Sequence, residues 1–140
     1  MRNIIFALLI LVLPSQAKCQ KWKDFAAFGG GLVAGGAWGL HEVTAHHYGE
    51  FQKAFPKANP QFWNPALSWE NKHKRNVPAH ISDAKHLLAS GNQIAIFSTA
   101  FVIGSGWKKG GVKKALIRTG LFSAGYFLGN FATYDLIKRQ

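Results

Sequence analysis

The chain has 140 residues, 48% of them hydrophobic, enough for one compact domain and too few for several. A single cysteine, Cys19, excludes an intrachain disulfide. With 17 Lys+Arg against 6 Asp+Glu the formal charge is +11, which favours anionic partners such as phospholipid headgroups, nucleic acid or acidic polymers.

The N-terminus narrows that choice. Met1-Arg2-Asn3 is a short positive start, Ile4–Leu13 is an unbroken apolar run, and Ser15 and Ala17 occupy the small positions of an A-x-A-like cleavage site. This is the layout of a secretory signal peptide over residues 1–17, and the run is too short for a comfortable membrane span. An uncleaved signal anchor is the alternative, and it also places the chain at a membrane. Lys18 is bulky and charged where a lipoprotein site before Cys19 requires a small residue. Export removes nucleic acid from the expected partners and leaves anionic lipid headgroups.

The mature segment, residues 18–140, reads as a single all-α, membrane-associated domain with three main helices, at about 25–48, 82–104 and 112–137. In the first, Phe25–Leu40 carries no charge, and Gly31, Gly35 and Gly39 form a G-x-x-x-G-x-x-x-G ladder. On a helix such glycines share a face and admit another backbone, as in helix association within lipid or in a homo-oligomer. In water each would cost about 1 kcal/mol relative to Ala. A phosphate-binding glycine loop is excluded, since no G-x-G-x-x-G or Walker spacing is present.

Residues 49–81 differ in kind. Pro56, Pro60, Pro65 and Pro78 forbid one long helix. The segment reads as a long loop with short helical turns, one of them starting at Asn64-Pro65, with Asn as cap and Pro in the first helical position. Trp63 and Trp69, beside Lys72, Lys74 and Arg75, have the composition of a membrane–water interface, with the three cations available to anionic headgroups.

The second helix is expected to be capped by Ser82, with Asp83 in its first turn, and to carry Asp83, His86, Ser90, Gln93 and Phe97 on one arc. "IAIFSTAFVI" is its apolar half. The third contains Gly125 and Gly129, with Asp135 on the face of Leu121, Gly125, Leu128 and Ala132. Both connecting loops are basic, so the positive-inside rule does not orient the chain.

"HEVTAHH", residues 41–47, is not a zincin motif, because position 45 is alanine where H-E-x-x-H needs histidine. Glu42 and His46 lie at i,i+4 and continue the arc of Gly31, Gly35 and Gly39, whereas His41 turns away from it and His47 faces headgroups or solvent. Antiparallel connectivity would put Glu42, His46, Asp83, His86 and Asp135 at one level of the bundle. Polar groups inside a membrane bundle are costly and often functional. These five residues are therefore the candidate catalytic set, and Glu42, His46, Asp83 and His86 the candidate ligands for a divalent metal such as Zn. The competing reading is structural: a Glu/His/Asp network joining helices, with Asp83 serving the helix dipole and Asp135 pairing with Lys138, Arg139 or bases on the Arg118 side.

"FWNPALSWENKHK" (62–74), followed by "SDAKHLL" (82–88), resembles a group of small uncharacterised bacterial membrane proteins with an F-W-N-P-x-x-S-W-x-N-K-x-K motif and a D-A-x-H-L helix start. The resemblance marks Trp63, Asn64, Pro65, Trp69, Asn71, Lys72, Asp83 and His86, and it implies a membrane location without naming an activity. "DAKHLLAS" is also similar to the D-K-x-x-H-F helix start of teicoplanin-resistance-like small membrane proteins. Here the Asp–His separation is three rather than four, and Leu follows the histidine instead of Phe.

Three functions fit these readings. The first is a small exported envelope protein, bacterial or phage-encoded, acting through interactions. The second is a membrane-embedded hydrolase or transferase for a lipid-linked phosphate, metal-dependent or acid–base. The third is a soluble periplasmic module that binds an anionic polymer.

Overall fold

The computed structural model describes residues 21–68, 70, 78, 82–105 and 111–139. The expected signal segment, Cys19, and the interface residues Trp69, Asn71, Lys72, Lys74 and Arg75 lie outside the described residues. The fold is all-α. Its elements are α1 (Lys21–His46), α2 (Tyr48–Ala54), α3 (Pro60–Trp63), α4 (Pro65–Ser68), α5 (Ala84–Gly104) and α6 (Gly111–Asn130). A π-helical turn, Phe131–Asp135, and a last short helix, α7 (Leu136–Lys138), complete the chain.

The short helices follow their Asn-Pro steps. Asn59 accepts a hydrogen bond from the Gln61 amide at 3.0 Å with Pro60 opening α3, and Asn64 accepts one from the Ala66 amide at 3.0 Å with Pro65 opening α4. In both, the amide carbonyl satisfies a helix-start donor and proline occupies a position whose N–H has no helical partner. α5 begins later than expected. Asp83, not Ser82, is its cap, in extended conformation and accepting from the His86 amide.

α1 is the central element. It packs along both α5 and α6, which scarcely touch each other. Direction follows from the contacts. Against α6 the numbers rise together: a methyl on Gly31 would overlap the Phe122 carbonyl, one on Gly35 the Tyr126 carbonyl, and one on Gly39 the Thr133 hydroxyl. From the other side, Gly125 meets the Phe28 carbonyl and Gly129 that of Leu32. The two helices are therefore parallel, with five glycines letting their backbones touch. Against α5 the numbers run oppositely, Gly30 facing Thr99 and Lys23 donating to Ser105 at 3.0 Å. The three long helices thus form an up-down-up layer with α1 in the middle.

This arrangement corrects two expectations. The glycine ladder is occupied by the chain's own α6, so Gly31, Gly35 and Gly39 are buried and not available to a second copy. The packed face of α6 also differs. It consists of Arg118, Gly125 and Gly129, while Leu128 is 53% exposed. Close backbone contact selects the residue without a side chain, whereas apolarity alone pointed to the leucines.

α5 is inverted relative to a water-soluble core helix. Its buried residues are Ala84, Asn92 and Thr99, while Ile94, Phe97 and Phe101 are 66%, 73% and 78% exposed. The expected stripe through Gln93 and Phe97 consequently points outward. Its 21 residues extend about 31 Å, close to the thickness of a hydrocarbon core. Among the described residues it is the one helix long and apolar enough to cross a membrane.

Candidate functional site

The up-down-up order brings the end of α1, the start of α5 and the π-helical turn to the same end of the layer. Among the described residues three polar groupings lie there.

The first surrounds Glu42. His41 stacks on Trp38 with ring centroids 5.0 Å apart, and its side chain is only 13% exposed. Its Nδ1 lies 3.2 Å from Glu42 Oε1, while His46 Nε2, on a largely exposed side chain, lies 3.7 Å from Oε2. The expected Glu42–His46 pair is therefore present as the looser of two contacts. His41, which was expected to turn away, is the closer and better buried partner. The buried face of α1 ends instead in Val43 and Thr44. Three i,i+4 steps from Gly31 lead through Gly35 and Gly39 to position 43, and Glu42 falls to one side of that line. Thr44 is satisfied within its own helix, donating to the Leu40 and His41 carbonyls.

The second grouping is His47 with Tyr134, where Nε2 and Oη are 3.1 Å apart and the rings meet edge-on. His47 was expected to face headgroups or solvent. Instead it ties the break between α1 and α2 to the π-helical turn. Tyr134 reaches it because the wider turn shifts the register after Asn130, and such turns inside α-helices are frequent at functional positions. The same shift removes Asp135 from the expected face of Leu121 and Gly125. Its carboxylate makes no hydrogen bond or ion pair with a described residue, including Lys138 and Arg139.

The third grouping is the tightest. Asp83 is 2% exposed, and both of its carboxylate oxygens approach His86 Nδ1, at 2.8 and 2.9 Å. Oδ1 also accepts from the His86 amide at 2.9 Å, and Ser82 Oγ lies 3.4 Å from Oδ2. The spacing of three, one turn of helix, is what lets one carboxylate cap the backbone and hold the ring together. A carboxylate at Nδ1 fixes the imidazole tautomer with Nε2 as the basic nitrogen, the orientation a general base needs. The His86 side chain is 39% exposed, so the ring is accessible.

Glu42–His46 and Asp83–His86 thus form at one end of the fold as two pairs. Among the described residues no three His, Cys, Asp or Glu side chains are grouped as a metal site requires, and this corrects the four-residue ligand set. Antiparallel connectivity brought the elements to one level, but each carboxylate is directed at a histidine of its own helix. Of the interface motif, Trp63 stacks on Phe51 at 5.0 Å and Asn64 caps α4.

At the opposite end stands a pair that sequence reasoning missed. Arg118, 3% exposed within α6, donates from Nε to Asp24 Oδ1 at 2.8 Å. Parallel packing makes the contact possible, because Asp24 and Arg118 carry the same offset as the facing glycines. The available signal was a lone arginine inside "ALIRTGLF", which calls for a carboxylate elsewhere.

No protein-family model matches the chain, and no curated protein or solved structure shows significant similarity to it.

Proposed function

We propose that the chain is a small helical membrane protein of the cell envelope, bacterial or phage-encoded, that acts through interactions and not through a reaction of its own. The observation that carries this reading is the inverted α5: its packed face is Ala84, Asn92 and Thr99, and its large apolar side chains project from the fold. Water would penalise that surface at about 25 cal/mol per Å², whereas lipid would not. α6 adds Leu116, Ile117 and Phe127, at 66%, 50% and 74% exposure. Small residues inside and bulky apolar residues outside are the packing economy of helices in lipid. The His47–Tyr134 contact then ties α1 to the π-helical turn at one membrane boundary, where the His41/Glu42/His46 and Asp83/His86 groupings lie on the ends of their own helices. The same apolar surface argues against a soluble periplasmic module for anionic polymers.

Carbonate extraction of membranes from cells expressing the full chain tests the reading. Retention in the pellet is the expected outcome, and release into the soluble fraction overturns it.

A second reading rests on Asp83–His86. A buried carboxylate orienting an accessible imidazole at a membrane boundary suits acid–base hydrolysis or transfer on a lipid-linked phosphate. Under that reading Asp83→Asn abolishes activity while preserving the cap. Under the leading reading the same variant leaves the cellular phenotype intact.

A further inference from the structure

α2 and α3 enclose a feature that the polar groupings do not use. Between them and α1 lies an open groove of about 460 Å³, within the ordinary ligand-pocket range of roughly 300–1,000 Å³. Leu40, Phe51 and Ala58 form its apolar surface with Phe55 and Trp63, and among the described residues lining it Lys57 is the charged one. The aromatic wall is built locally: Phe51 packs on Phe55 at 5.1 Å and on Trp63 at 5.0 Å. Phe55 is 46% exposed even though its neighbour Phe51 is buried.

The place of the groove identifies its occupant. It opens beside the last turns of α1, and α1 ends where the antiparallel α5 begins, so it lies at the boundary level of the helix suited to cross a membrane. α3, which carries Trp63, also touches α5. An apolar slot at that level, walled by aromatics and rimmed by Lys57, with no carboxylate among the described residues that line it, complements an acyl chain ending in a negative headgroup. The net charge of +11 favours the same partner.

We propose that this groove holds one acyl chain of an anionic phospholipid, with Lys57 at the headgroup phosphate. This rests on the membrane reading above and gives it a specific ligand. Trp63 supplies the amphipathic ring typical of that depth. Proline at position 56 and the Asn59 cap fix the turn that presents Lys57 to the rim.

Native mass spectrometry of the full chain in detergent, with added phosphatidylglycerol, phosphatidylcholine or free palmitate, tests the proposal. Phosphatidylglycerol should be retained in preference to both others, and Lys57→Glu should lower its retention about fivefold or more. Ala58→Trp, which fills the groove, should abolish it with helicity unchanged by circular dichroism. If that variant unfolds, Ala54→Leu is the substitute. Equal retention of the three lipids, or retention untouched by a filled groove, overturns the proposal, as does palmitate binding as strongly as phosphatidylglycerol. Carbonate extraction run in parallel separates the two ideas: a pelleted chain without lipid preference rejects the groove alone, and a released chain rejects the membrane reading with it.

Discussion

At the residue scale, Asp83 both caps α5 and holds the His86 ring, and substitution separates these two roles. Asparagine is as good a helix cap as aspartate but cannot hold His86 by charge. Asp83→Asn should therefore unfold within a few tenths of a kcal/mol of the parent in detergent, while Asp83→Ala should lose about 1–2 kcal/mol. Equal losses for both would show that the carboxylate–imidazole contact, not the cap, carries the stability. Asp24 is a different case. Its partner Arg118 is buried and keeps its charge, so the amide in Asp24→Asn leaves an uncompensated guanidinium. Because Asp24 is itself 42% exposed, water offsets part of the loss, and a cost of about 2 kcal/mol is expected, read as a lowered thermal midpoint. The His47–Tyr134 contact was invisible in the sequence, since its partners stand 87 positions apart and meet only through the π-helical turn.

At the element scale, the α1–α6 contact decides the architecture. The glycines were legible as a face, and so was the need for a close neighbour. Which neighbour was not legible, because α5, α6 and a second copy all satisfied the spacing. Gly35→Ala should destabilise by about 1–3 kcal/mol despite the better helix propensity of alanine, since its methyl meets the Tyr126 backbone and neither helix can yield locally. Gly120→Ala on the same pair of helices is the control. Nothing lies near that position, so the substitution should be neutral or stabilising by up to about 1 kcal/mol. Parallel thermal melts of the two variants check this, and similar destabilisation by both would mean that the helices are not in close contact. The shifted packed faces of α5 and α6 have the same origin. Periodicity identifies an apolar arc, but burial followed small size wherever backbones approached.

At the scale of the whole molecule, the outward apolar surface of α5 sets the relation to its surroundings. Phe97→Lys places a charge on the exposed face, and membrane insertion should become less favourable by about 3–4 kcal/mol, the cost of the lysine plus the lost contribution of the phenylalanine. The measurement is the fraction recovered with membranes after carbonate treatment. An unchanged fraction would show that this face does not meet lipid.

Composition and pattern by themselves determined the helical class, the approximate spans, the Asn64-Pro65 start of one short helix and the i,i+4 relation of Glu42 to His46, because all of these depend on contacts within a few turns of chain. Tertiary structure decided the rest: that α1 lies between α5 and α6, that α6 covers the glycine ladder, that Arg118 finds Asp24, and that the carboxylate–histidine groups stay as separate pairs. These depend on which faces meet and in which direction. A steric choice among several similar helix faces has no local signature, and that is why it appeared only with the fold.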